Sequence, residues 1–106
     1  MIDMKNKFDL FGAEYAIKHV KDIEKNSKDE EMECCYGLSN SVRKEITIAD
    51  EVDGVKISDD EKRLTLLHEL MHVIFIEGAY NSCTNDEPLV EWCAKCLNSL
   101  IKQKVI

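Results

Sequence analysis

Two histidines and a glutamate stand close together at residues 68–72, in the order His68-Glu69-Leu70-Met71-His72. In an α-helix, residues four positions apart lie one above the other on the same face. Two imidazoles in that arrangement can bind one Zn²⁺ ion, and the glutamate between them is placed to take a proton from a metal-bound water. The pattern therefore predicts a zinc site with His68 and His72 as ligands and Glu69 as general base.

A catalytic zinc site commonly has three protein ligands and one position open for water. No histidine follows His72, and the remaining one, His19, lies in a predicted strand, so we expect a carboxylate or a cysteine as third ligand. In the helix predicted near the C-terminus, Glu87 falls at the edge of the apolar arc, whereas Glu91 lies farther round. This favours Glu87 as the ligand, although an acid in the first turn also suits the helix dipole. Glu91 is the rival ligand, or the carboxylate that holds the outer N–H of a ligand histidine.

The chain around the motif predicts a long helix from about Asp59 to Glu77. Ser58 and Glu61 form a capping-box pattern at its start, and Gly78 marks its end. The second half is apolar almost all round, which is typical of a helix buried between other elements. Polar side chains in such surroundings are costly unless something pairs with them. The motif is therefore better explained by a metal site than by a structural polar cluster.

A second helix is predicted to begin at Asn85 or Asp86, with Pro88 in its first turn. Its apolar arc includes Cys93 and Cys96. A Cys-x-x-Cys pair can serve redox or metal chemistry, but on an apolar helix face we interpret both as buried structural cysteines. The chain has 5 cysteines, and an odd count without a secretory signal is typical of reduced thiols.

Strands are predicted ahead of the two helices, with turns at Gly37–Ser41 and Asp53-Gly54. The sequence predicts a single α+β domain over residues 1–106, in which a small antiparallel sheet of about three strands packs on the two helices. The second and third strands form a hairpin, and a loop or irregular turn spans Lys21–Glu31. The strands are expected at Glu14–Val20, Met32–Tyr36 and Lys44–Ala49.

Composition excludes several classes of partner. The net charge of −7 argues against a nucleic-acid-binding protein, which usually has a basic face. The longest apolar run, Val73–Ile76, is far too short to span a membrane, and the N-terminal residues lack the apolar core of a signal peptide. We therefore expect a cytoplasmic protein without nucleic-acid or membrane partners.

These residues resemble the gluzincins, zinc metallopeptidases with His-Glu-x-x-His on one helix and a zinc-binding glutamate on a following helix. The closer similarity, over residues 37–101, is to small phage and prophage metallopeptidases of the ImmA/IrrE-like type, and the chain also resembles the single-domain minigluzincins. In the phage proteins a short sheet precedes the motif, and a helix with Glu-x-x-Ala-Asn-x-Phe-Ala follows it. The segment Glu87-x-x-Val90-Glu91-x-Cys93-Ala94 looks like a variant of that helix, with Glu91 where asparagine is usual.

The resemblance implies a hydrolase that cleaves peptide bonds, with a peptide or protein as substrate. An edge strand such as Ile46–Ile48 would hold that substrate in extended form. The reaction needs an oxyanion stabiliser, for which Tyr80 and His19 are candidates. Two alternatives stay open: a non-catalytic, zinc-stabilised interaction module with a closed metal site, such as a phage accessory protein, and a latent, zymogen-like peptidase with a covered cleft.

Overall fold

The computed structural model describes residues 6–23 and 36–106, and the α+β class predicted from the sequence is confirmed. The described residues form a four-stranded sheet, a two-stranded ribbon and three helices. The strands are β1 (Lys7–Leu10), β2 (Ala13–Val20), β3 (Gly37–Asn40), β4 (Glu45–Ala49), β5 (Glu51–Val52) and β6 (Val55–Lys56). The helices are α1 (Asp59–Glu77), α2 (Asn81–Thr84) and α3 (Glu87–Lys102).

The main sheet has the strand order β1-β2-β4-β3. The outer pairs are antiparallel, with Phe8 opposite Tyr15 and Ser39 opposite Ile46. The central pair, β2 and β4, is parallel, with Ile17 opposite Ile46, and so differs from the antiparallel arrangement expected. The strands predicted at Glu14–Val20 and Lys44–Ala49 are confirmed as β2 and β4.

The strand that pairs with β4 begins at Gly37, where a turn was predicted. The chain instead turns at residues 41–44, where the Asn40 side chain accepts hydrogen bonds from the backbone N–H groups of Val42 and Arg43. The expectation that Ile46–Ile48 is an edge strand is wrong, because β4 lies between β2 and β3. Except for Tyr36, the predicted strand Met32–Tyr36 lies outside the described residues, as does most of the predicted loop Lys21–Glu31. The Asp53-Gly54 turn is confirmed: both residues have positive φ, and they join β5 to β6, as a two-residue hairpin loop requires.

Helix α1 packs across one face of the sheet. Alternate residues of β2 and β4 point toward it, and they form the core with Leu66 and Val73 of α1. The fully buried strand residues of this core are Tyr15, Ile46 and Ile48. Burying such side chains stabilises the fold by about 1.5–3 kcal/mol each, so this core holds α1, which carries the motif, against the sheet.

Helix α3 runs antiparallel to α1 on the side away from the sheet. Polar contacts mark this pairing along its length: Arg63 Nε donates to Asn98 Oδ1 at 2.7 Å, and Lys102 Nζ lies 3.1 Å from Asp60 Oδ1. The buried α1 predicted from its apolar pattern is thus covered on two sides, although Ile74 stays 43% exposed. None of the helices in the described part of the chain has the length and apolar character needed to cross a membrane.

The starts of both long helices agree with the caps predicted from the sequence. Ser58 Oγ accepts a hydrogen bond from the Glu61 N–H at 3.2 Å. Asp86 Oδ1 accepts one from the Leu89 N–H at 3.2 Å. Such caps satisfy N–H groups that have no partner within the helix. Because the Asp86 cap begins α3 at Glu87, it brings this carboxylate to the end of the helix nearest the motif.

Candidate metal centre

The imidazoles of His68 and His72 face the carboxylate of Glu87 across the gap between α1 and α3. His68 Nε2 lies 3.1 Å from Glu87 Oε2, and His72 Nε2 lies 3.1 Å from Glu87 Oε1. One donor atom from each of the three residues lies within 4.8 Å of the other two. The structure thus brings together the three residues favoured as metal ligands.

The outer nitrogen of each ring has its own partner. His68 Nδ1 lies 2.7 Å from Glu91 Oε2, and because an ionised carboxylate can only accept, His68 Nδ1 carries the hydrogen. His72 Nδ1 lies 3.0 Å from the Thr84 hydroxyl oxygen. With its own hydrogen directed to the backbone carbonyl of His72 at 3.4 Å, the hydroxyl oxygen has a lone pair that can accept from a protonated His72 Nδ1. In the tautomer that carries its hydrogen on Nδ1, each ring directs the Nε2 lone pair at Glu87, as binding of a metal through Nε2 requires.

Three electron-pair donors directed at one place repel one another unless positive charge lies among them. Either a metal cation or additional ring protons can supply that charge. Two imidazoles and one carboxylate suit Zn²⁺, and Zn–N and Zn–O bonds of about 2.0–2.2 Å put tetrahedral ligand atoms about 3.3–3.6 Å apart. One donor atom from each residue lies within 4.8 Å of the other two, so a small inward movement of the side chains would let all three bind one ion of this kind.

Glu69 lies beside Gly37 of β3, on the sheet side of α1, and the residue is only 7% exposed. Burial raises the pKa of Glu69 above its ordinary value, and the nearby Glu87 acts in the same direction. The positive charge available on His68 and His72 and a hydrogen bond with the Ser39 side chain oppose this rise in pKa. A carboxylate with this balance of influences can both accept and release a proton.

The strand β3 approaches α1 beside this glutamate. A Cβ atom on Gly37 would lie 2.6 Å from Thr65 Cγ2 and 3.3 Å from Glu69 Cγ, so only glycine fits at this position without a shift. The close approach lets Ser39, two residues later in β3, reach the Glu69 carboxylate. Sequence reasoning missed this contact, since a glycine next to polar residues is also the signal for a turn.

A tight connection brings the Thr84 side chain back to α1. The Ala79 N–H donates to the Ile76 carbonyl at 3.0 Å, and the Tyr80 N–H donates to the Phe75 carbonyl at 2.7 Å. This is the bond pattern of a Schellman motif. Its left-handed residue is Ala79, with φ 61°, while Gly78 has φ −85°. The chain then enters α2, whose last residue is Thr84.

The other candidates lie outside this group. His19 is exposed on β2, and Tyr80, the other candidate for the oxyanion stabiliser, is 63% exposed. Cys93 and Cys96 are half-buried free thiols on α3, so they are less buried than predicted. Among the described residues, the group that could hold a metal contains no cysteine and no third histidine.

The centre is open to solvent from the side of α3. The Glu87 side chain is 64% exposed, whereas those of His68 and His72 are 21% and 14% exposed. Water and a ligand can therefore approach past Glu87 without a rearrangement of the core. Comparison of the chain with protein-family models, with curated proteins and with solved structures finds no match.

Proposed function

We propose that this chain is a zinc-dependent peptidase that hydrolyses peptide bonds with water as the nucleophile. The observation that carries the proposal is the convergence of His68 Nε2, His72 Nε2 and the Glu87 carboxylate. A buried carboxylate, Glu69, accompanies it on the same helix. Metal ligands alone would equally suit a structural site, but a buried acid between the two ligand histidines is what hydrolysis by an activated water requires.

His68, His72 and Glu87 would hold the zinc ion. When bound, Zn²⁺ supplies Lewis-acid chemistry that makes a water easier to deprotonate and a carbonyl easier to attack. Glu69 takes one proton from the water while the oxygen of that water attacks the carbonyl carbon of the peptide. The C–N bond of the peptide then breaks. Glu69 gives that proton to the departing nitrogen, so the carboxylate is regenerated after each cycle.

Strand β3 is the place where an extended substrate would bind. It forms one edge of the main sheet, with β4 as its only neighbour among the described strands. A peptide can add to the edge of a sheet as a further strand, held by main-chain hydrogen bonds. Because Ser39 of β3 contacts Glu69, a peptide paired with β3 passes close to the proposed base. This replaces the predicted role of Ile46–Ile48, which lies inside the sheet.

The replacement Glu69→Gln tests the mechanism. It keeps the size of the side chain but removes the proton acceptor, so we expect zinc binding to persist while cleavage falls by at least about 1,000-fold. Cleavage is measured with a mixed-sequence library of quenched fluorescent peptides, and bound zinc by metal analysis after gel filtration. The control is Glu61→Gln, which changes an exposed acid in the first turn of α1.

Wild-type cleavage by the Glu69→Gln variant would show that the mechanism is wrong. If the wild-type protein binds one zinc per chain but cleaves no member of the library, the site is structural, and the peptidase proposal fails in favour of a non-catalytic zinc module. Loss of zinc from Glu69→Gln would also contradict the division of roles between Glu69 and the three ligands.

A further inference from the structure

We propose that Thr84 is a positioning residue that holds the ring of His72 in the orientation needed for metal binding. The inference rests on the proposed zinc function and deepens it, because it names a residue that acts on the metal through a ligand. Thr84 comes from α2, the short helix between the two long ones. It was not among the site residues predicted from the sequence.

The hydroxyl of Thr84 is placed to hold the imidazole of His72 in the orientation that directs Nε2 at Glu87. It has one hydrogen and two lone pairs, and the hydrogen points at the His72 backbone carbonyl 3.4 Å away. A lone pair is then left for His72 Nδ1 at 3.0 Å. Both contacts are made to His72, so the hydroxyl links the His72 ring to the His72 backbone carbonyl and limits rotation of the ring. The ring is thereby directed with Nε2 toward Glu87.

The two ligand histidines therefore have different outer partners. His68 has the carboxylate of Glu91 at 2.7 Å, which both orients the ring and increases its electron density. His72 has a neutral hydroxyl, which orients the ring without adding charge. Loss of an outer partner usually weakens metal binding by about 10–100-fold, and we expect the neutral Thr84 to lie at the lower end of that range.

The test compares Thr84→Val with Thr84→Ser in the full-length chain. Valine keeps the shape of threonine and removes the hydroxyl, whereas serine keeps the hydroxyl and removes the methyl group. We expect zinc affinity, measured by competition with a chromophoric chelator, to fall about 10-fold in Thr84→Val and to stay within about 2-fold of wild type in Thr84→Ser. Ser82→Ala, an exposed hydroxyl in the same short helix, is the matched control and should leave the affinity unchanged.

A second readout separates positioning from general damage to the fold. In the zinc-loaded protein, the ring N–H of His72 should exchange slowly with water, as seen by NMR, in the wild type and in Thr84→Ser. It should exchange rapidly in Thr84→Val, because its acceptor has been removed. Thermal unfolding of the three metal-free proteins checks that the variants fold.

Equal zinc affinity in the wild type and Thr84→Val would overturn the role of Thr84 and leave the zinc site itself standing. A loss of affinity that Thr84→Ser does not restore would overturn it as well, since the methyl group would then be the important part. Failure of the wild type to bind zinc would overturn the proposed function and this inference together, and that result is distinguishable from the other two.

Discussion

At the scale of single residues, the two nitrogens of each imidazole have separate tasks. The inner nitrogens of His68 and His72 face Glu87, and the outer ones bind Glu91 and Thr84. Without a partner for its outer nitrogen, an imidazole could rotate so that its metal-binding nitrogen points away from the site. Metal binding would then have to restrict this side-chain freedom, at a cost in entropy. The outer contacts are therefore as much a part of the site as the donors.

This separation of tasks gives a prediction that distinguishes the two glutamates of α3. Glu87→Gln should lower zinc affinity by at least about 100-fold, because a charged ligand is lost. Glu91→Gln should lower it by about 10–100-fold, because only the partner of His68 changes. Zinc affinity is measured by chelator competition, with Glu14→Gln on β2 as an exposed control. A larger loss in Glu91→Gln would make Glu91 the ligand.

At the scale of elements, the close approach of β3 to α1 determines which groups lie next to the Glu69 carboxylate. The prediction concerns Gly37→Ala, whose new Cβ would lie 2.6 Å from Thr65 Cγ2. We expect the free energy of unfolding to fall by about 1–3 kcal/mol, as is usual for overpacking. Thr65→Ser removes the methyl group in the way, so the double variant should recover most of this loss. Urea denaturation of the wild type, the two single variants and the double variant measures the coupling free energy between residues 37 and 65. If Thr65→Ser does not restore stability to Gly37→Ala, the contact with Thr65 is not what excludes a larger residue at position 37.

The same elements explain which parts of the fold can be predicted from the sequence. The starts of α1 and α3 can be predicted, because Ser58 and Asp86 act on N–H groups within three residues of themselves. The role of Gly37 cannot, because it depends on Thr65, which comes close only after the sheet has packed on α1. The parallel pairing of β2 with β4 joins strands that are distant in the chain, and the contact of Thr84 with His72 depends on how the connection after α1 turns back. Neither leaves a local sequence pattern.

At the scale of the whole molecule, one polar cluster ties the sheet to the end of α1 opposite its cap. Tyr15 Oη donates to Glu77 Oε1 at 2.6 Å, and Lys44 Nζ lies 2.9 Å from the same oxygen. The three residues belong to β2, to the turn before β4 and to the last turn of α1. Phe8 stacks on the Tyr15 ring with centroids 5.2 Å apart. The cluster thus fixes the C-terminal end of α1, from which the connection to Thr84 and α3 departs.

The stability of the protein at high pH tests this tie. Burial, followed by the hydrogen bond to Glu77 and its charge, raises the pKa of Tyr15 to about 12 from the ordinary 10. Because the folded-state pKa is the higher one, the stabilisation is complete below pH 10 and is lost as the pH rises from about 10 to 12.

We expect Tyr15→Phe to lower the free energy of unfolding by about 1 kcal/mol at neutral pH, since one hydrogen bond is lost and the packing is kept. Its stability should then fall less steeply than that of the wild type between pH 10 and 12, because the group that titrates there is gone. Urea denaturation at a series of pH values gives both quantities, and Tyr36→Phe, which removes a phenol that is 46% exposed, is the control. Identical alkaline slopes for Tyr15→Phe and the wild type would show that Tyr15 does not link the sheet to α1 through its hydroxyl.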